Sequence, residues 1–431
     1  MRKVIFVCLS AAAAVMLLSA SPQQESTNTT QQPDSAGTMK KTQLLSSRKQ
    51  PPMPMPLVAP LFIENGTTHS TITLVSNFSK PLDVDVVLSG LEGDQIAKST
   101  ITMAAYSQRK VELANILRNA PWVADSGYGS VLLDPHIASP LAAQLSIVNE
   151  RQQNDVEEEF VMMMGSAPAN YRAVTGNLST APIVAIRSTS TTNQTLSVTC
   201  LSQSGRLDGS NLKIRPNQTL LVRGCRANGH SIIADLDDNS SYSPNLKGDS
   251  KKAQGLAVSS SAPAMNLAVF GIAVRGEGVE RLLSGIPFWA VDTLKSATAI
   301  YPGVPSPQDL AFGGQLFQLR ASVANFSTTP RKATVLLSTG SGKDSTQKTI
   351  AAMTVPGRSV STVDLPELTN GGVTNSIVIQ TDGNPGEVLT NVQAITESQG
   401  ARADFSLPWK DQQQFDNAGE HPVDARMFVE K

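Results

Sequence analysis

One pattern recurs along this chain and limits what it can fold into. Residues 70–90 read STITLVSNFSKPLDVDVVLSG and residues 319–340 read LRASVANFSTTPRKATVLLSTG. A weaker copy, IVAIRSTSTTNQTLSVTCLSQSG, occupies 183–205. Each reads as strand, tight polar turn, strand. In the first copy Ile72 and Leu74 alternate with Thr71 and Thr73; past the turn, Val84, Val86 and Leu88 alternate with Asp83, Asp85 and Val87. Period-two alternation sends one set of side chains to a core and the other to water. Val, Ile, Thr and Leu also suit a pleated, half-buried surface. The turns NFSKP (77–81) and NFSTTP (325–330) combine Asn and Ser, which bond their own backbone, with Pro, which presets φ and removes a ladder donor. Asn-x-Ser is also the acceptor pattern for N-glycosylation. The recurrence of the same residues at the same place in the repeat favours turn chemistry.

Further stretches repeat in step. After the first copy come 99–103 and 110–113 (KVEL). After the middle one come 212–214, a Pro216-Asn217 turn and 219–222 (TLLV). After the last come 348–355, a Pro356-Gly357 turn and 361–365 (STVDL). Six or seven short strands per unit, separated by turn signals, is the pattern of a β-sandwich. Asn77 and Asn325 lie 248 residues apart. Two equal steps would each match the usual domain size of ~100–150 residues, enough to bury a core without staples.

The start of the chain is of another kind. Arg2 and Lys3 precede an apolar run from Val4 to Leu18, and Ser19, Ala20 and Ser21 follow, the layout of an export signal. As a helix the run spans roughly 22 Å, short of a ~30 Å hydrocarbon core, so cleavage after Ala20 is favoured over a retained anchor. The protein is expected to be exported: secreted, periplasmic or on the cell surface, with no membrane span after cleavage. Residues 21–56, rich in Gln, Ser, Thr and Pro, carry too little apolar surface to offset the entropy of ordering and read as a disordered tether.

The boundaries expected are a signal peptide 1–20, a tether 21–56, and sandwich modules 57–149, 166–276 and 315–398. Between them lie an acidic linker 150–165, holding Glu157, Glu158 and Glu159, and a Pro-rich connector 277–314. In that connector Pro302, Pro305 and Pro307 disfavour a helix or central strand. A polar tail covers 399–431. The formal net charge of −1 offers no basic surface to nucleic acid or anionic lipid.

Signal cleavage leaves two cysteines, Cys200 and Cys225, both in the middle module. In an oxidising compartment such a pair reads as a disulfide, worth roughly 3.5 kcal/mol in the chain-entropy model. The alternative is two unpaired thiols, with Cys200 taking the core position that Leu88 takes in the first copy.

Chemistry is hard to find. His69, His136, His230 and His421 are each isolated, which leaves zinc without a ligand set. There is no Gly-x-Ser-x-Gly elbow. Gly340-Ser341-Gly342-Lys343-Asp344 lacks the first Gly and the Ser/Thr of a phosphate loop. Ser345 to Lys348 fits Ser-x-x-Lys without its partner motifs. Asp235, Asp237 and Asn239 alternate as in a calcium loop, but Ser240 and Leu246 stand where an EF-hand needs Gly and Glu. Asp134, Asp292 and Asp364 have no mate. No catalytic, cofactor-binding or metal-binding residue is assigned, and no enzyme activity or cofactor is expected. Two Pro-aromatic pairs echo each other, Ile286-Pro287-Phe288-Trp289 and Ser406-Leu407-Pro408-Trp409. Trp289 and Trp409 read as packing that seals the end of a sandwich, or else as exposed anchors for a partner.

The order strand, Asn-x-Ser near Pro, strand, Gly turn, strand, Pro-Gly turn, strand resembles the Ig-like modules repeated in bacterial exported and cell-surface proteins, including the cell-adhesion-related (CARDB-type) domains. The resemblance covers 77–113 and 325–365 best and 188–222 loosely, and it brings no functional residues with it. It implies an all-β fold of three tandem Ig-like antiparallel β-sandwich modules, with a spacer, scaffold or adhesion role toward an unknown protein or envelope component. Two other readings stay open. One is an envelope polysaccharide- or protein-binding module, although three Trp and five Tyr give few platforms for sugar faces. The other is a hydrolase with an unrecognised site.

Overall fold

The computed structural model describes residues 56–65, 68–118, 120, 127–137, 141–151, 156–164, 167–168, 170–175, 182–223, 226–227, 254–260, 266–275, 282–302, 318–339, 346–365, 375–398, 401–406 and 410–411. Most of them lie in antiparallel strands, and the strands form six sheets.

The first two sheets use β1 (Leu57–Ile63), β2 (Thr68–Ser76), β3 (Leu82–Ser89), β4 (Gln95–Met103), β5 (Gln108–Glu112), β6 (Tyr128–Asp134), β7 (Leu141–Arg151) and β8 (Val156–Met163). A one-turn helix α1 (Leu113–Leu117) follows β5. One sheet runs β1-β6-β3-β4 and the other β5-β2-β7-β8. After a short β9 (Ala167–Pro168), the chain repeats this layout. It forms β10 (Asn170–Val174), β11 (Ile183–Ser188), β12 (Gln194–Ser202), β13 (Gly205–Ile214), β14 (Thr219–Arg223), β15 (Arg226–Ala227), β16 (Gly255–Ser260), β17 (Asn266–Arg275), β18 (Leu282–Ile286) and β19 (Trp289–Ala290). These pair as β13-β12-β16-β10-β19 and β15-β14-β11-β17-β18. The last set is β20 (Thr298–Tyr301), β21 (Gln318–Asn325), β22 (Arg331–Thr339), β23 (Thr346–Val355), β24 (Ser359–Asp364), β25 (Ser376–Thr381), β26 (Val388–Ser398), β27 (Ala401–Ser406) and β28 (Lys410–Asp411). Its sheets are β23-β22-β25-β20-β28 and β24-β21-β26-β27.

Setting aside the two-residue strands, one strand order therefore recurs. The first, sixth, third and fourth strands make one sheet (sheet I), and the fifth, second, seventh and eighth make the other (sheet II). Each such set of eight strands is called a unit below. Within a unit the two sheets share a core. Ile72 and Leu74 of β2, Val86 and Leu88 of β3, Leu133 of β6 and Leu145 of β7 belong to one buried cluster. Val198 and Val258 meet Val184 and Ile186 in the second; Val335 and Ile379 meet Val323 and Val392 in the third. Each such aliphatic side chain contributes about 1.5–3 kcal/mol relative to exposure. Burial along β2 alternates residue by residue, as the sequence of the first copy predicts.

The units reach further than composition indicates. The acidic stretch expected as a linker, 150–165, carries the end of β7 and the whole of β8, and Glu157–Glu159 pair with Val148–Glu150 in a hairpin. A charged edge strand discourages pairing with foreign chains, so a run of acids is compatible with a strand there. The connector 277–314 supplies β18, β19 and β20; β20 stops at Tyr301, just before Pro302, and its Ala299 and Tyr301 enter the third core. The prolines bound this strand without preventing it. The tail 399–431 supplies β27 and β28. The signal run, the tether and the 235–252 insertion lie outside the described residues.

The repeat is also registered one residue differently from the Asn-x-Ser match. The residues that close the second strand are Ser76, Ser188 and Asn325, all buried. Ser76 Oγ accepts the Phe78 N–H at 3.3 Å, Ser188 Oγ the Ser190 N–H at 3.2 Å, and Asn325 Oδ1 the Ser327 N–H at 3.0 Å. This is turn chemistry, as expected, but in the first unit Ser76 performs it and Asn77 is exposed. The turns from fourth to fifth strand match too. Tyr106, Asn217 and Arg358 each adopt a left-handed backbone, with φ of 49, 58 and 56°.

Candidate functional site: an arginine-lined cleft between units

Sheet I of one unit packs against sheet II of the next. β1 meets β11 and β17, and in the same way β10 meets β21 and β26. All six residues of β11 are therefore buried. Val184 and Ile186 face their own core, whereas Ala185 joins the first unit's cluster together with Phe270 and Ile272. At the next junction Ala324, Leu389 and Val360 share a cluster with Val174 and Leu201 of the second unit. Here polar contacts cross as well: Asn391 Nδ2 donates to the Val174 carbonyl at 3.2 Å. No apolar alternation is visible in β11 because both of its faces are covered.

The first junction is closed electrostatically. In the turn before β14, Arg215 pairs with Glu92 of the turn between β3 and β4, and Gln218 Nε2 donates to the same carboxylate at 3.1 Å. The Thr219 N–H reaches the Leu91 carbonyl at 2.8 Å.

The second junction is open at the corresponding place. The outer face of sheet I in the second unit and two turns of the third enclose a cleft of about 200 Å³, lined by Asn170, Arg172, Thr199, Arg206, Ser259, Phe326 and Arg358 among others. Sheet register explains the convergence. Arg172 and Thr199 both pair with Ala257, Asn170 pairs with Ser259, and Arg206 pairs with Leu201 one step along. Phe326 comes from the turn after β21 and Arg358 from the turn before β24. The Arg172 guanidinium sits 4.9 Å from the centre of the Phe326 ring and donates to the Gly386 carbonyl. Burial lowers its pKa, while Glu387 and Asp292 oppose that shift. Asp292 also accepts from Asn170 Nδ2 at 3.1 Å. Arg206 and Arg358 are exposed. Neither side chain makes an ion pair or hydrogen bond among the described residues. Three cations thus line a cleft whose lining includes no acid.

The residues singled out in the sequence fall elsewhere. Cys200 is fully buried in the second core and is disulfide-bonded; Cys225 lies outside the described residues. Trp289 is half-buried in β19 opposite Arg172 and packs against the third unit's cluster, while Phe288 packs against the second's. Trp409 lies outside the described residues, as do the stretches 235–246 and 340–345. Of the histidines, His69 Nδ1 lies 3.2 Å from Glu64, whose pKa is raised, mainly by burial. His136 Nε2 lies 2.9 Å from Asp85, which also takes Lys98 Nζ at 2.7 Å and the Thr100 hydroxyl at 2.6 Å. The Lys98 and Thr100 bonds lead in holding the Asp85 pKa down at about 2. Among the described residues no three His, Cys, Asp or Glu side chains are grouped to hold a metal ion, and no helix is long and apolar enough to cross a membrane. The arginines of the cleft carry no sequence signal, since each is single: sheet pairing brings Arg172 and Arg206 to one face, and the stacking of units adds Arg358.

No known family model and no curated protein matches the chain. Among solved structures, the chain is similar to a crystal structure of Thermotoga maritima 1070 at 10% identity, over 27% of this chain and 97% of that one, with a TM-score of 0.20. It is also similar to a structure described as the triple jelly roll fold and turret assembly in an archaeal virus, at 12% identity over 83% of this chain and 84% of that one, with a TM-score of 0.15.

Proposed function

We propose that this chain is a non-catalytic, exported structural protein: three Ig-like sandwich modules in tandem, acting as a spacer or scaffold of the cell envelope or extracellular space. The observation that carries this reading is that the outer face of sheet II changes composition with its covering. In the first unit it is polar and half-buried or exposed, with Thr71, Thr73, Lys110 and Gln144. In the second unit Ala185, Phe270 and Ile272 are buried against the preceding unit. In the third, Ser322, Ala324 and Gln393 are fully buried at the next junction. A polar outer face on the terminal repeat and fitted faces between repeats is the pattern of a quasi-one-dimensional array. Such an array keeps a fixed distance between its ends, which is the use of a spacer. The basic-apolar-small start of the sequence supports export.

The test has two parts. Cells producing the full chain are fractionated, and the mature protein is measured by small-angle X-ray scattering at low and high salt. Recovery outside the cytoplasm and one salt-insensitive maximum dimension are expected. Retention in the cytosol, or a dimension that varies with salt as loosely tethered units would give, overturns the reading.

A further inference from the structure

We propose that the cleft between the second and third units binds an oxyanion, carboxylate or phosphate, borne on a hydroxylated molecule about the size of one sugar. The contrast between the two junctions carries this. At the first, the basic turn residue Arg215 is neutralised by Glu92 across the interface. At the second, the corresponding turn brings Arg358 to a cleft that also holds Arg206, and no acid among the described residues pairs with either side chain. An oxyanion in the cleft would neutralise these two guanidiniums, whereas Arg172 beside them already has Glu387 and Asp292 near it. Guanidinium is the side chain best matched to a planar or tetrahedral oxyanion, which it meets with two parallel N–H bonds. Arg172 is already fixed, by the Gly386 carbonyl and the Phe326 ring, and lends the site a rigid wall.

The rest of the lining selects what carries the anion. Thr199 and Ser259 offer hydroxyls and Asn170 an amide, placed in adjacent rows of one sheet. These groups suit a ligand with several hydroxyls. At about 200 Å³ the space is smaller than the ~300–1,000 Å³ of sites for drug-sized ligands, so it admits a single small moiety, free or at the end of a polymer.

The test is calorimetric titration of the full mature chain at low salt with inorganic phosphate, glucuronate and glucose, using the wild type, Arg206→Gln, Arg358→Gly and the double variant. Glycine at 358 removes the charge while easing a backbone with φ of 56°, and Arg206 is exposed, so neither change threatens the fold. Saturable binding of glucuronate and none of glucose is expected. Each single variant should weaken binding at least tenfold, and the double variant should abolish it. Phosphate binding equal to or tighter than glucuronate, with the same losses, supports the site and identifies a phosphate as its ligand. No saturable binding of either anion, or undiminished binding in the double variant with an unchanged unfolding midpoint, overturns it.

Discussion

Arg187 of the second unit donates to the Ser130 hydroxyl of the first, and both residues are shut away from water at 2% and 0% exposure. The contact ties β11 to β6 in the buried part of the junction, beside the apolar packing of Ala185, Phe270 and Ile272. Burial alone pulls the guanidinium pKa down to about 10, and its Nε has no hydrogen-bond partner among the described residues. A buried charge with so little compensation contributes less than a well-packed apolar side chain of similar size, and such replacements are often neutral or stabilising by about 1–4 kcal/mol. Arg187→Met is therefore expected to keep or raise the urea midpoint of the full chain. A loss above about 1 kcal/mol would show that the Ser130 bond outweighs the desolvation.

Asn325 closes β21 with five side-chain contacts where the other units use a serine. Its Nδ2 donates to the carbonyls of Thr329 at 2.8 Å and of Val355 and Pro356 at 3.1 Å each, and its Oδ1 accepts from the Ser327 N–H and hydroxyl. Asn325→Ala strips these bonds, while the Thr329 and Pro356 carbonyls keep the Ser327 and Ser359 hydroxyls at 2.9 and 2.8 Å, so the expected loss is about 1–3 kcal/mol. Asn325→Ser restores the turn bond found at Ser76 and Ser188 and should recover part of that loss. Equal losses for Ala and Ser, measured by chemical unfolding, would sink the assigned role of the turn bond.

These two residues also show how far the sequence could be read. The strand-turn-strand repeat is legible because β2 and β21 keep apolar positions on one face against their own cores. Its exact register is not, since Asn77 and Asn325 match as letters while Ser76 and Asn325 match in space. Strands that open and close each unit are hidden for a physical reason. β8 is an acidic edge and β20 is only Thr298–Tyr301, so neither offers a full run of alternation. The cleft was out of reach because Arg172 and Arg206 meet only through sheet pairing distant in sequence, and Arg358 joins them only when the next unit's turn meets that sheet. Arg172 and Arg358 belong to different units, and no local pattern links them.

Asp85 predicts an acid-limb effect. With Lys98, Thr100 and His136 around it, its folded pKa falls from 3.8 to about 2, so the folded state releases the proton more readily than the unfolded chain. The associated stability is complete above the unfolded value and drains away as pH falls from about 4 to about 2. Asp85→Asn should flatten the fall of the urea midpoint across that window, and Lys98→Met should flatten it partly. An unchanged slope in both variants would count against the cluster as its source.

Cys200 is disulfide-bonded, and after the apolar start of the chain Cys225 is the single other cysteine. Peptide mapping without reduction should recover the two joined. Reduction should lower stability by roughly 3.5 kcal/mol, the chain-entropy value for a loop of this length. Two free thiols in the unfolded, unreduced protein would contradict this.

Tyr106 gives the cleanest test of the turn that all three units share. Its φ is 49° and its side chain is 71% exposed, so the ring supplies little packing while the backbone is held where a Cβ is disfavoured. The turn needs that conformation because the Tyr106 N–H reaches back to the Phe78 carbonyl at 3.0 Å, as the Arg358 N–H reaches Ser327 at 2.8 Å in the third unit. The second unit meets the same demand with Asn217, a residue that tolerates left-handed backbone. Tyr106→Gly should then raise stability by about 0.5–1 kcal/mol, the left-handed penalty less the added entropy of the unfolded chain. Tyr106→Asn should gain less, and Tyr106→Ala, which loses the same ring but keeps the Cβ, should gain nothing. That ranking, Gly above Asn above Ala, separates backbone strain from loss of the ring; a stability loss common to all three would place the contribution in the tyrosine side chain instead.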